Sequence, residues 1–213
     1  CKKIKKTPIL VGGTGLYFKA LTEGLVNIPK IPNNFRNKVR NLHKRIGQQK
    51  FFQKLLQIDP LIKDQINSLD TQRSIRAYEI KSFTKKSMIS WFKNTKSDYS
   101  HNDFFKICID FPRKDLIERI NQRSENIIKL GAISEVRRFI KMRVPKNKSL
   151  SKAIGINEIK QYLQKKIQIE QLIEKISIKT RQYAKRQSTW ARGNMKDWNK
   201  LKPSGLDKLL KKI

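Results

Sequence analysis

The earliest residues that could handle a reactive ligand are Gly12, Gly13, Thr14 and Gly15, which follow the apolar run 7–11 (TPILV). Glycines after a strand let the backbone approach a ligand, and the N-terminus of the next helix favours anions. No Lys-Ser/Thr pair follows, so this is not a Walker A loop, and a plain strand-to-helix turn has the same spacing. Gln72, Arg73 and Arg76 fall within one helical turn, with 72 and 76 as i,i+4 neighbours. Arg and Gln are the usual readers of phosphates and base edges, although a solvated helix face reads the same way. Arg119 and Arg123 are also spaced i,i+4. Two guanidiniums on one face suit a diphosphate; the other reading pairs them with Asp115, Glu118 or nearby acids. In 180–192, Arg181, Lys185, Ser188 and Arg192 make a basic stripe, with Tyr183, Ala184, Gln187 and Trp190 around the other side. Such a helix suits RNA backbone contact, and equally a basic surface helix with a buried Trp. Asp110 could be a catalytic carboxylate by position, but it lies just before Pro112 and a helix start, which favours a structural role. With two His, neither a Ser-His-Asp nor a Cys-His set can be assembled.

The elements that must position these residues are legible as periodic segments. Residues 7–11 read as a strand of a parallel sheet, closed by Gly12-Gly13, with Thr14 placed to cap a helix across Leu16 to Leu21. After Pro29 and Pro32, residues 33–58 look helical, with Phe35, Val39, Leu42 and Ile46, then Phe51, Phe52, Leu55 and Leu56, at helical spacing. Pro60 opens a further helical stretch, and Asp70 can cap a helix over 71–83. Residues 84–103 are polar and weakly periodic and read as a loop. FFKICIDF (104–111) returns to strand character, and Pro112 precedes a helix running to about Leu130. Helices are expected over 133–142, 152–163, 168–191 and 204–212, with a loop at 146–151, Gly193 as a helix end and a short element from Trp198. Two strand-helix pieces therefore bracket a helical stretch, the pattern of a helical lobe inserted in an α/β core. The expected division is 1–32 core, 33–103 lobe, and 104–213 remaining core with C-terminal helices.

Net charge is +32, from 49 Lys+Arg against 17 Asp+Glu. A chain this basic attracts polyanions, nucleic acid first among them, although abundant Lys, Ile and Asn also follow from an A/T-biased genome. The cysteines, Cys1 and Cys108, have no near partners, so neither a disulfide framework nor a zinc site is expected, and a reducing intracellular compartment fits. No run of 18 apolar residues exists to span a membrane, and no apolar stretch follows the basic start as a signal peptide would require. The sequence opens on CKKIKK and leads at once into a buried-strand pattern, so it is expected to be the later part of a longer chain.

In order, these segments resemble the tRNA dimethylallyltransferase (isopentenyl-tRNA transferase) family. Val11 to Leu21 and Thr180 to Arg192 (TRQYAKRQSTWAR) resemble its two most specific signatures. Asp70 to Glu79 resembles D-x-x-R-x-x-R-A-L-E, Arg119 to Arg123 resembles R-I-x-x-R, and Ala153-Ile154-Gly155 resembles A-I-G-Y. The resemblance implies a P-loop NTPase-like α/β core of parallel strands with an inserted all-helical lobe. It implies transfer of a dimethylallyl group from dimethylallyl diphosphate to N6 of the adenosine on the 3′ side of the tRNA anticodon, with Mg2+ assisting diphosphate departure. The base would be flipped into a channel. By similarity, Thr14 lines that channel and Arg123 binds the diphosphate, stabilising its growing charge. Arg36, Gln72, Arg73, Ser74, Ile75 and Arg76 would contact the anticodon stem-loop, as would Lys152, Gly155, Lys185, Arg186, Gln187, Trp190 and Arg192. A cytoplasmic monomer is expected, with no membrane association.

The sequence departs from the family pattern in two ways. The family's Walker-A-like loop and general-base Asp both precede the VGGTG segment and are not in this sequence, so no cofactor-binding residue or metal ligand is expected here, and the 213 residues alone are expected to bind tRNA without turnover. The family also has an aromatic and then a basic residue after the Gly of A-I-G-Y, where this sequence has Ile156 and Asn157. Two other readings compete: a basic RNA-binding protein without chemistry, and a P-loop kinase-like phosphotransferase. The 180–192 segment favours tRNA over a small phosphate acceptor.

Overall fold

A computed structural model of the chain describes residues 2–4, 6–145 and 148–211. Cys1, residues 146 and 147 of the expected loop, and residue 212 of the expected terminal helix lie outside them. Contacts divide the chain into two compact units, residues 16–104 and residues up to 15 joined with 105 onward.

The first unit is helical. It holds α1 (Gly15–Glu23) from Leu16 onward, α2 (Asn33–Ile58), α3 (Thr71–Thr84) and α4 (Met88–Lys93). The apolar spacing of 33–58 does form α2, but the helix breaks at Gly47, where φ is 76° and ψ is 168°. A β-carbon there would meet nothing within 4 Å, so the backbone angle and not space demands glycine. Gln48 clamps the break: its Nε2 donates to Ser74 Oγ at 3.2 Å and to the Ser68 carbonyl, and its Oε1 lies 2.9 Å from His43 Nε2. Asp70 caps α3, its Oδ1 accepting from the Arg73 N–H at 2.9 Å. Phe52, Leu55, Ile62, Ile66, Ala77, Ile80 and Met88 form the core. After Pro60 there is a single 3-10 turn, Pro60–Ile62, in place of the longer helix expected. The loop expected over 84–103 is partly ordered as α4. Ser87 caps it, and Trp91 donates from Nε1 to Thr84 Oγ1 at 3.3 Å. Met88, Ile89 and Trp91 hold this short helix on the core, a tertiary anchor that six residues cannot show as periodicity.

The second unit contains β1 (Ile107–Ile109), α5 (Arg113–Lys129), α6 (Ala132–Lys141), α7 (Ile156–Leu163), α8 (Ile169–Asn194), β2 (Asn199–Leu201) and α9 (Leu206–Leu210). β1 and β2 pair in parallel, with Ile107 opposite Asn199 and Ile109 opposite Leu201. The Asp110 N–H extends the ladder to the Leu201 carbonyl at 2.9 Å. Strands and helices together make the α/β arrangement expected, with Val136, Ile156, Ile159, Leu172 and Ile176 as the core of this unit. The run 7–11 is a correction: among the described residues it pairs with no strand, and Val11 is 92% exposed. A strand exists only where a neighbour accepts its backbone hydrogen bonds. The helix expected from 152 starts at Ile156, because 150–152 form a 3-10 turn and Gly155 has φ 100°. α8 runs one residue past Gly193.

Candidate functional site

The glycine turn and the basic C-terminal segment meet within the second unit. A β-carbon on Gly15 would overlap the Trp190 ring, and one on Gly13 would overlap the Gln187 amide. Positions 187 and 190 are i,i+3 neighbours on one face of α8, so a single helix face receives the turn. Here glycine is required for close approach. Thr14 lies exposed between the two contacts, directly before α1.

Around Trp190, α8 forms an open concavity lined by Gln182, Lys185, Arg186, Thr189 and Trp190. Lys185, Arg186 and Arg192 are exposed along it, Gln187 and Trp190 half-buried. The Arg186 guanidinium sits over the Tyr183 ring at 5.6 Å, and Arg192 Nη2 donates to Thr189 Oγ1 at 3.5 Å. Cations beside an aromatic face can hold a phosphate and stack a base, the two parts of a nucleotide.

α5 packs along α8 and carries Arg119 and Arg123. Arg119 lies over the Phe111 ring at 4.9 Å. Arg123 is exposed, and among the described residues neither arginine pairs with Asp115 or Glu118. Arg123 therefore keeps its full set of donors for an anion, whereas Arg119 is engaged by an aromatic ring.

Lys152 is exposed on the turn before α7, while Gly155 and Ile156 are buried and Asn157 is exposed. The Gly155 N–H donates to Glu158 Oε2 at 3.0 Å, and Lys179 of α8 forms an ion pair with Glu158 Oε1. Burial of Glu158 would raise its pKa. The Lys179 ammonium and the N–H groups of Glu158 and Gly155 outweigh that and hold the carboxyl below its ordinary value. Glu158 thus anchors the Gly155 turn and ties α7 to α8.

In the helical unit, Arg36 and Arg76 both reach Glu79, at 3.2 Å and 3.5 Å from Oε2. Arg73 is exposed beside Asp70 at 3.5 Å, Gln72 is exposed, and Ile75 is half-buried. Ser74 is fully buried and its hydroxyl donates to the Asp70 carbonyl at 2.7 Å, so that hydroxyl serves the helix and not the surface. Sequence reasoning missed Arg40 and Glu79. A spacing was available for each: Arg40 lies one turn after Arg36, and Glu79 three residues after Arg76.

No group of three or more His, Cys, Asp or Glu among the described residues is placed to hold a metal. The magnesium that the resemblance implies therefore has no cage among these described side chains.

Comparison with known proteins shows the family. The protein-family model described as IPP transferase matches residues 1–194. The tRNA dimethylallyltransferase of Pelagibacter ubique (strain HTCC1062) is 55% identical over 212 residues, covering 100% of this chain and 68% of the relative. The tRNA dimethylallyltransferase of Rickettsia massiliae (strain Mtu5) is 42% identical over 193 residues, 90% of this chain and 53% of the relative. The chain thus spans about two thirds of one relative's length and about half of the other's. A crystallographic structure of a eukaryotic dimethylallyltransferase acting on tRNA shares the fold, with a TM-score of 0.74 at 23% identity, over 94% of this chain and 52% of that one. With the family match running through both signature segments and those segments packed on each other, the chain belongs to the IPP transferase family of tRNA dimethylallyltransferases.

Proposed function

We propose that the protein carrying this chain transfers a dimethylallyl group from dimethylallyl diphosphate to N6 of the adenosine 3′-adjacent to the tRNA anticodon. The observation that carries the reading is the packing of Gly13 and Gly15 on Gln187 and Trp190, which seats Thr14 against α8, the helix that also carries Lys185, Arg186 and Arg192. Membership of the family supports the reaction class.

In the reaction, the N6 nitrogen bonds to C1 of the dimethylallyl group, the C1–O bond breaks, and the diphosphate leaves with the electron pair while N6 gives up a proton. Arg123, exposed and without an ion-pair partner among the described residues, is our candidate for the leaving diphosphate. Thr14 is assigned to the wall of the base channel. Lys185, Arg186 and Arg192 are assigned to the phosphates of the anticodon stem-loop, with Gln187 and Trp190 holding the glycine turn and offering a stacking face. Arg36, Gln72, Arg73 and Arg76 form a second RNA-facing set, while Ser74 and Ile75 position that helix. Lys152 is assigned to RNA contact and Gly155 to the turn that carries it. We assign the protein to the cytoplasm as a monomer. Magnesium would supply charge neutralisation at the diphosphate when bound.

The test is nucleoside analysis of tRNA incubated with dimethylallyl diphosphate and the gene product as the cell makes it. Prenylated adenosine beside the anticodon is the expected product. Tight, salt-sensitive tRNA binding with no prenylation would favour an RNA-binding role, and a phosphorylated small molecule would favour a phosphotransferase.

A further inference from the structure

Arg36, Arg40 and Arg76 converge from α2 and α3 on the Glu79 carboxylate. Arg36 Nε lies 3.2 Å and Arg76 Nη1 3.5 Å from Oε2, and Arg40 Nε lies 3.9 Å from Oε1. Glu79 is 1% exposed, whereas the arginine side chains are 36%, 51% and 41% exposed in sequence order. Oε1 accepts no hydrogen bond among the described residues, so its balance comes from charge alone. One carboxylate against three guanidiniums leaves the cluster strongly positive at the surface.

The geometry leaves binding capacity unused. Arg36 and Arg40 both face Glu79 through Nε. Their terminal nitrogens, the fork that grips a phosphate, are not the atoms engaged. Free arginines lose rotamer freedom on binding and repel one another when crowded; a buried carboxylate at their base removes both obstacles in advance. A buried carboxylate is itself tolerated only with charge partners.

We infer that Glu79 is a positioning residue that holds Arg36, Arg40 and Arg76 as one preorganised fork for a backbone phosphodiester of tRNA. Arg40 is part of that fork, and Glu79 never touches the RNA. The inference rests on the tRNA reading above. It makes a prediction opposite in sign to simple electrostatics. Glu79→Gln raises net charge, which by charge alone tightens binding to a polyanion. Loss of positioning weakens it.

The experiment measures binding of an anticodon stem-loop by fluorescence anisotropy across a salt series, for the parent protein, Glu79→Gln, Glu79→Asp and Arg40→Ala. Glu79→Gln is expected to bind about ten-fold more weakly, a loss of about 1.4 kcal/mol. Glu79→Asp, which keeps the charge, recovers part of that. Arg40→Ala weakens binding and lowers the slope of log K against log salt by about one. Unchanged or tighter binding by folded Glu79→Gln overturns the inference. Should Glu79→Gln fail to fold by circular dichroism, Arg40→Ala decides, since that side chain is half-exposed; parental affinity and slope there overturn the inference as well. A parent that does not bind the stem-loop at all sinks the tRNA reading itself and this inference with it, whereas parental binding with unaffected variants sinks the inference alone.

Discussion

Gly15 approaches Trp190 so closely that the first carbon of any side chain would overlap the indole ring. The contact joins Gly15 to the C-terminal half of α8 within one unit, and substitution there has a definite sign. Alanine at a helical position would by itself stabilise by up to about 1 kcal/mol relative to glycine. Overpacking costs about 1–3 kcal/mol, and a Trp ring is not a flexible tip that can swing aside. Gly15→Ala is therefore expected to lower stability by about 1–2 kcal/mol in a denaturant titration. In a Trp190→Ala background the penalty should disappear; strictly additive losses in the double-mutant cycle would rule out the contact.

Lys185 and Arg192 are exposed on α8, so their loss should leave folding intact. Lys185→Ala and Arg192→Ala are each expected to weaken tRNA binding and to reduce the salt slope by about one, since each would remove one of the phosphate contacts proposed above. A variant with a parental slope would place that residue away from the RNA.

The role proposed for Arg123 is separate from that of the proposed RNA-facing set. In the gene product as the cell makes it, Arg123→Ala should lower kcat/KM for dimethylallyl diphosphate by about 10²-fold, the scale of one lost charge-stabilising donor, with tRNA affinity little changed. Arg123→Lys should recover only part of this, because a point charge does not replace a planar fork. Equal losses in tRNA binding and transfer would move Arg123 into the RNA surface.

Glu158 sets a pH dependence. Its carboxyl is held below the ordinary value by Lys179 and two backbone N–H groups against the opposing effect of burial. A depressed carboxylate contributes stability at pH above its unfolded value and loses that contribution as pH falls through the folded one. Urea midpoints of the parent and Glu158→Gln should differ at pH 7 and converge in acid below the ordinary carboxylate range. A difference that persists or widens in acid would mean that Glu158 acts through packing alone.

Much of the fold was readable because it rests on local signals. The spacing of Phe35, Val39, Leu42 and Ile46 marks α2, and Asp70 marks the start of α3 through a cap three residues long in sequence. What escaped depends on distant partners. β2 is Asn199-Lys200-Leu201, with no alternating pattern, and is a strand only because β1 lies beside it. The run 7–11 has every strand signal and no such neighbour among the described residues. The candidate site divides in the same way. Residue types in 180–192 already suggested RNA, and the family pattern added Thr14 and Arg123. Glu79 ends the family pattern at 70–79, yet neither source gave it a role, because a Glu three residues after an Arg reads as an ordinary helix pair until α2 brings Arg36 and Arg40 to it.

The parallel pair of β1 and β2 also bears on the order of folding. Asn199 Nδ2 and the Lys106 carbonyl that it meets are 93 positions apart, and the Arg36–Glu79 contact spans only 43. Closing a longer loop costs more chain entropy before any contact rewards it, so non-local pairings form late. The amides of Ile107 to Ile109 should gain protection after those of α2 and α3 in pulsed hydrogen exchange during refolding. On heating they should also be released before α2 and α3, which would open the small sheet to pairing with another molecule's strand.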